Sequence, residues 1–303
     1  MRAFDKISFA YLAALLSIAC GGAGPETRDA KTPAKRADAA EAEDDQINVE
    51  ASAYEFYRSV SKTLLRTNQP VQASNTIRRL FKLKPESAEP YFLMGQAYLA
   101  MRQFEAAKKM LQTAIEKDPK YAEAHSMLGV AFNMLGKHGQ ADPEHRKAIE
   151  LDQSNGAYHN NLGFSLYLQG KYQQAVQAYQ AALESDPGAR RVHNNLGFAF
   201  GKLGKEEEAF QHFKLAGLPA QASNNMGFVH ESKGELEKAY EYYVDAVNRD
   251  PELIQARRNL ERVCKSLGRP VPNIGVSNKD TEKGDAESPA EPPAESPPEA
   301  PES

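Results

Sequence analysis

The sequence predicts an all-α protein, a superhelical solenoid of helix-turn-helix repeats, and three periodicities carry that prediction. The block Asn-Asn-Leu-Gly-Phe at 160–164 returns at 194–198 and, with Met for Leu, at 224–228. Its glycine belongs to a ladder, Gly95, Gly129, Gly163, Gly197 and Gly227, that steps by 34 residues and once by 30. Twelve residues after each glycine stands an alanine (Ala107, Ala141, Ala175, Ala209, Ala239), and seven further on another (Ala114, Ala148, Ala182, Ala216, Ala246). Small residues at fixed offsets on two successive helical patterns mean paired helices that approach closely. One hairpin cannot bury its own apolar face, whereas a stack of them builds a continuous elongated core.

The chain has 303 residues and a net charge of −4. At its start Arg2 and Lys6 precede an apolar run from Ile7 to Ala19, too short to span a bilayer as a mature helix. The run ends in Ser17-Ile18-Ala19-Cys20 followed by Gly21, so 1–20 resembles a bacterial lipoprotein signal peptide. That resemblance implies acylation of Cys20 and, with glycine next, a place in the outer membrane facing the periplasm. A plain secretory peptide cut near the same point is the alternative reading. The other cysteine, Cys264, then has no intramolecular partner and is expected to be a small buried apolar residue. Residues 21–50, rich in Ala, Glu, Asp and Lys, are expected to form a disordered tether with a span of about 30 Å.

From 54 to 253 the repeats follow one another. Bulky residues alternate with the small ones, at Tyr98, Phe132, Leu166 and Phe200 on first helices and Leu111, Tyr179, Phe213 and Tyr243 on second helices. A proline closes most copies, at Pro85, Pro119, Pro187 and Pro251. Period and pattern resemble the tetratricopeptide repeat, in six copies at 54–87, 88–121, 122–155, 156–189, 190–219 and 220–253. The first is degenerate, with Ser61 where glycine is expected and Pro70 between its helices. In the second, Pro90 suits a helix start. Pro143 in the third predicts a late start or a kink in its second helix. Gly136, Gly170, Gly204 and Gly234 are read as the ends of first helices. The fifth copy loses four residues, because Gly217-Leu218-Pro219 ends it early, and tighter stacking on the sixth is expected there. Residues 254–268 are expected to form a capping helix, with Arg257, Arg258, Glu261, Arg262 and Lys265 facing outward. Residues 269–303 are Pro-rich and acidic and are expected to be disordered with polyproline character.

The acidic excess lies in the two ends, and the repeat region is near neutral, which argues against nucleic acid as a partner. Its one basic stretch, from Arg58 and Lys62 through Arg66, Arg78, Arg79, Lys82 and Lys84, reads more readily as a solvated face than as a partner site. His125, His159 and His193 recur at one repeat position, but copies stacked roughly 10 Å apart cannot bring three such side chains to one metal. No nucleophile stands with a base, so the chain reads as a non-enzymatic protein without cofactor.

In the resembled family, the first-helix face away from the packing residues lines a groove for peptides or partner helices. Matched residue by residue, it carries Asn160, Asn161, Phe164 and Tyr167, then Asn194, Asn195 and Phe198, then Asn224, Asn225 and Phe228, with Phe92, Gln96, Ser126 and Val130 upstream. An amide offers both donor and acceptor, the complement of a peptide backbone. The alternative is that one Asn of each pair bonds to a neighbouring helix and that Phe packs between copies. The charge clamp of chaperone-binding relatives is not matched, since Arg191 and Lys202 are isolated. The shortened copy and the Asn pairs, over about 88–260, resemble the repeat lipoprotein of tight-adherence (Tad, Flp) pilus assembly. This implies a lipid-anchored scaffold assisting an outer-membrane secretin. Two other readings stay open: a peptide-binding scaffold for other envelope or cell-wall machinery, and a regulatory subunit of an envelope enzyme.

Overall fold

The computed structural model describes residues 33–274, with side chains from 49 onward. The expected signal peptide with Cys20, residues 21–32 and the tail from 275 lie outside the described residues. Within them the chain is helical throughout, with no strand. Six hairpins follow in order: α1 (Pro33–Arg66) with α2 (Pro70–Leu83), α3 (Ala88–Ala100) with α4 (Phe104–Lys117), and α5 (Ala122–Met134) with α6 (His138–Leu151). Then come α7 (Gly156–Leu168) with α8 (Tyr172–Ser185), α9 (Arg190–Lys202) with α10 (Glu206–Ala216), α11 (Pro219–Glu231) with α12 (Leu236–Arg249), and the single helix α13 (Ile254–Leu267). The compact unit containing the hairpins begins at Tyr54, and the residues before it form a unit of their own.

One expectation changes at the start of the chain. Residues 33–50, read from composition as part of a tether, are helical and continuous with the first hairpin. Composition argues against a core there, but a helix does not require one. Ala, Glu, Lys and Arg propagate a helix at little cost once its nucleus exists, and Pro33 suits the first helical position.

The glycine ladder records how the helices of each hairpin meet. Sixteen residues after each glycine comes the bulky inward residue of the partner helix, and the two face one another. A Cβ on Gly163 would lie 2.6 Å from the Tyr179 ring, and one on Gly227 2.6 Å from the Tyr243 ring. The alanine ladders are the same device on the second helix, where Ala107, Ala141, Ala175, Ala209 and Ala239 are all fully buried. First helices end in left-handed residues, with φ of 70°, 74°, 75° and 77° at Gly136, Gly170, Gly204 and Gly234. The first two hairpins turn instead on Asn68 (φ 55°) and Arg102 (φ 57°).

The turns between hairpins repeat a feature that sequence reading missed. The carboxylates of Asp118, Asp152, Asp186 and Asp250 accept the backbone N–H two residues on, at 2.9–3.1 Å. Two of the recurring histidines serve the same turns. His125 and His193 place Nε2 3.2 and 2.9 Å from the carbonyls of Pro119 and Pro187, which accept from them. The third, His159, makes no such contact, so the common position of the three reflects loop anchoring in two copies.

Pro143 neither delays nor breaks its helix, since α6 begins at His138 and runs through it. The short fifth copy shows in α10, which has 11 residues against 14 in the other second helices of the compact unit. Helix α13 closes the unit with Ala256, Leu260, Val263 and Cys264 buried, and it ends at the left-handed Gly268. Cys264 is an unpaired thiol, fully buried, and burial raises its pKa, so it is kept protonated and unreactive.

The core is not one uninterrupted apolar body. One cluster runs from Tyr54 to Ala141 and another from Leu162 to Val229. Between them, in the third and fourth hairpins, lie a small apolar cluster of Ala122, Ala148 and Tyr158 and a polar layer. His145, fully buried, takes the place of the bulky inward residue opposite Gly129. Its Nε2 accepts from Asn133 Nδ2 at 3.3 Å, while Asn133 Oδ1 receives His138 Nδ1 at 3.1 Å and Ser165 Oγ at 3.0 Å. Ser165 Oγ also lies 2.7 Å from the Asp142 carboxylate, and Gln169 donates to the same oxygen at 2.9 Å. No partner reaches His145 Nδ1. Burial lowers the pKa of this imidazole to about 4, so it is neutral at ordinary pH.

Candidate partner-binding face

Which side of the stack can receive a partner follows from the packing of its helices. First helices touch the first helices of the next hairpins along the whole series, α3 on α5, α5 on α7, α7 on α9, α9 on α11 and α11 on α13. The backbones of neighbouring second helices stay farther apart, and where those helices meet, as α10 and α12 do, it is through long side chains, Glu206 with Lys238 at 3.6 Å and Phe210 with Tyr242 at 6.2 Å. A stack drawn together on one side and splayed on the other is concave on the side of its first helices, and that is where the Asn pairs and aromatic residues lie.

The amides follow the alternative weighed in the sequence, bonding from one first helix to the next. Asn195 Nδ2 donates to Asn160 Oδ1 at 2.9 Å, Asn225 Nδ2 to Asn194 Oδ1 at 2.8 Å, and Asn259 Nδ2 to Asn224 Oδ1 at 2.9 Å. Asn161 Nδ2 starts the series by donating to Ser126 Oγ at 3.0 Å. The second Asn of each copy thus bonds back to the first Asn of the copy before it, in a ladder that joins first helices. Asn160 and Asn224 are buried and the other four are half-buried. The pairs are primarily inter-repeat struts, and only the unused half of each amide remains for a ligand. Sequence spacing contained this signal: the acceptor and donor positions sit one repeat and one residue apart, 35 residues, or 31 across the shortened copy. Asn259 completes the ladder from α13, and sequence reading overlooked it.

The aromatic residues are the exposed part of the face. Phe164, Tyr167, Phe198 and Phe228 are half-buried. Phe198 meets Phe228 edge to face with centroids 5.9 Å apart and also meets Phe213 at 4.9 Å, so two copies share one aromatic patch. Tyr167 lies 5.3 Å from Tyr172, and burial pushes its phenol up to about 12. Upstream the expectation fails for two of four residues, because Phe92 and Ser126 are buried and Ser126 receives the Asn161 amide, while Gln96 and Val130 are half-buried.

Charge on the first hairpin is paired in part, and Arg66, Arg78, Arg79 and Lys82 meet no carboxylate among the described residues. Arg58 reaches Glu89 at 2.7 Å and Glu55 at 2.9 Å, Lys62 reaches Glu89 at 2.8 Å, and Lys84 lies 4.5 Å over the Tyr54 ring. These contacts neutralise Arg58 and Lys62, and the remaining basic side chains form a solvated face. Sequence reading named no metal ligands, and the structure brings Glu206, His230 and Glu235 together. Their carboxylates already have Lys233 and Lys238 at 3.6–3.8 Å, and His230 Nδ1 lies 2.6 Å from Glu235. The cluster is charge-compensated by the chain itself.

Tetratricopeptide-repeat models match residues 64–131, 165–204 and 220–253. The repeats are tetratricopeptide repeats. Among solved structures, PilF of Pseudomonas aeruginosa is 16% identical, with a TM-score of 0.56, over 70% of this chain and 99% of that one. MamA of Desulfovibrio magneticus is 20% identical, with a TM-score of 0.46, over 54% and 93%. A chain of the APC/C hetero-tetramer Cut9–Hcn1 is 16% identical, with a TM-score of 0.57, over 74% and 46%. At these identities the likeness speaks for the fold alone. No curated protein matches the chain in sequence. The molecule is a tetratricopeptide-repeat scaffold, a fold that binds protein partners, and no catalytic family is indicated.

Proposed function

We propose that the chain is a non-enzymatic scaffold of the bacterial envelope, anchored through lipid on Cys20, which holds an extended protein segment against the concave face of its first helices. The observation that carries this reading is the half-buried aromatic row Phe164, Tyr167, Phe198 and Phe228 on helices whose amides already brace the stack. Such rings offer a ligand apolar area at low entropic cost and set no demand on its charge. The partner in the finer reading is an outer-membrane secretin, and the role is assembly of a pilus or secretion system. The support for this finer step is the lipoprotein-like Ser17-Ile18-Ala19-Cys20 and the resemblance of the shortened copy and Asn pairs to the tight-adherence lipoprotein.

Photo-crosslinking in intact cells tests the proposal. A benzoyl-phenylalanine at Phe164 is expected to form an adduct with a secretin subunit, and the same label at Leu215, an exposed residue on the second helix α10, is not. Adducts with wall synthases or hydrolases would move the function to cell-wall machinery. Equal labelling from both positions, or none from Phe164, removes the groove. Independently, Cys20→Ala is expected to abolish incorporation of radiolabelled palmitate.

A further inference from the structure

The loss of one helical turn from the fifth copy leaves an open space. Between the start of α9, the end of α10 and the start of α11 lies a cavity of about 260 Å³, its polar lining supplied by Arg190, Arg191, Asn194, Gln221 and Asn225. The amide oxygens there are already used. Asn194 Oδ1 accepts from Asn225 Nδ2 at 2.8 Å, Asn225 Oδ1 accepts from Asn224 Nδ2 at 3.5 Å, and Gln221 Oε1 accepts from the Leu218 N–H at 3.3 Å. With each of those oxygens already holding one donor, the unused groups are chiefly N–H, from the amides of Asn194 and Gln221 and from two guanidiniums. Arg190 Nε donates to the Ala216 carbonyl at 2.7 Å, which holds that side chain in place with its terminal nitrogens unused. Among the described residues neither Arg190 nor Arg191 meets a carboxylate, and no acidic residue lines the cavity.

A cavity rich in donors that carries two positive charges and no acidic residue selects a planar anion, and guanidinium matches carboxylate geometry. Its volume falls below the roughly 300 Å³ at which sites for drug-sized ligands begin, so it suits one side chain.

We propose that this cavity binds glutamate side chains of the chain's own C-terminal segment, 275–303. That segment has eight acidic residues against two lysines, and Glu287, Glu291, Glu295 and Glu299 recur every fourth position among prolines. The acidic repeat gives four registers, each able to place one carboxylate between the arginines. In an extended polyproline run, successive glutamates of this series stand about 12 Å apart, so one is bound at a time. The segment continues from Ile274, which packs on the cluster of α12 and α13, one hairpin beyond the cavity. Thirteen residues lead from there to Glu287 and reach up to about 43 Å, several times the 8–10 Å (roughly) between packed helices. Tethering supplies an effective concentration on the order of millimolar, enough to fill a weak site until an acidic partner displaces the tail. The inference does not rest on the aromatic groove.

The test uses the full chain and a fluorescein-labelled peptide of residues 285–299, followed by fluorescence anisotropy at low salt. Self-occupancy predicts weak binding to the native chain and at least ten-fold tighter binding to a chain carrying E287Q, E291Q, E295Q and E299Q. In that background Arg191→Gln, which removes no hydrogen bond or ion pair of the fold, is expected to reduce binding at least ten-fold, and Arg190→Gln with it to abolish binding. Phe164→Ser is expected to leave peptide binding unchanged, which separates this site from the groove. Equal affinity of the native and Gln-tail chains would overturn self-occupancy. Binding that survives loss of Arg191, or that an all-Gln peptide reproduces, would overturn the carboxylate assignment.

Discussion

Asn195 shows how a residue that looks like a ligand contact can serve the fold. Its amide is the only partner seen for the buried Asn160 oxygen, and an orphaned buried acceptor costs about 1–3 kcal/mol. Asn195→Ala is therefore expected to lower stability by about 1–3 kcal/mol in urea titration. A fully stable variant would mean that the ladder is decorative. Ser61 gives the opposite sign. It is fully buried, and its hydroxyl has no partner. Ser61→Ala removes an uncompensated polar group and is expected to raise the denaturation midpoint by an amount worth about 1 kcal/mol.

At the scale of the element, each first helix is seated by a glycine against one large side chain. In an isolated helix Gly→Ala would stabilise by about 0.5–1 kcal/mol. At Gly227 the sign reverses, because the added Cβ would meet the Tyr243 ring at 2.6 Å. That ring is fully buried, and its hydroxyl is held by Glu231 at 2.6 Å, while Arg262 from α13 grips the same carboxylate at 2.7 and 2.8 Å. The ring cannot yield without loosening the capping helix. Gly227→Ala is expected to destabilise by about 1–3 kcal/mol, with hydrogen exchange rising first in α11 to α13. A variant that melts at or above the native temperature would show that the contact is not tight.

Over the whole molecule, the polar layer at the third hairpin sets a pH dependence. His145 has a folded pKa near 4 against about 6.5 when unfolded, so between those values the unfolded chain binds more protons and stability rises with pH. As pH falls from about 6.5 to 4, burial of this imidazole costs up to roughly 3 kcal/mol. His125 works in the other direction. Its pKa is raised by Glu144, which favours the folded state below the unfolded value and less so as pH rises. Comparison of variants isolates the term. His145→Leu copies the second hairpin, where Leu111 faces Gly95, and is expected to remove that slope and join the two apolar clusters. An unchanged slope between pH 4 and 6.5 would exclude His145 as its source.

Period, hairpin boundaries and the glycine turns could be read from the chain itself, because small residues and left-handed glycines answer to local geometry that every copy repeats. The presence of a groove-side row was legible for the same reason. What its residues do was not. Whether an Asn faces a ligand or its counterpart one repeat away, whether Arg191 stands alone or beside Arg190 at an amide-lined cavity, and whether the core is continuous all depend on contacts between copies. Those contacts arise from how hairpins stack, and a repeat pattern specifies the hairpin more closely than the neighbour it meets. Helix α1 makes the same point in reverse. Composition argued against a core for residues 33–50, but composition alone does not decide between helix and coil there.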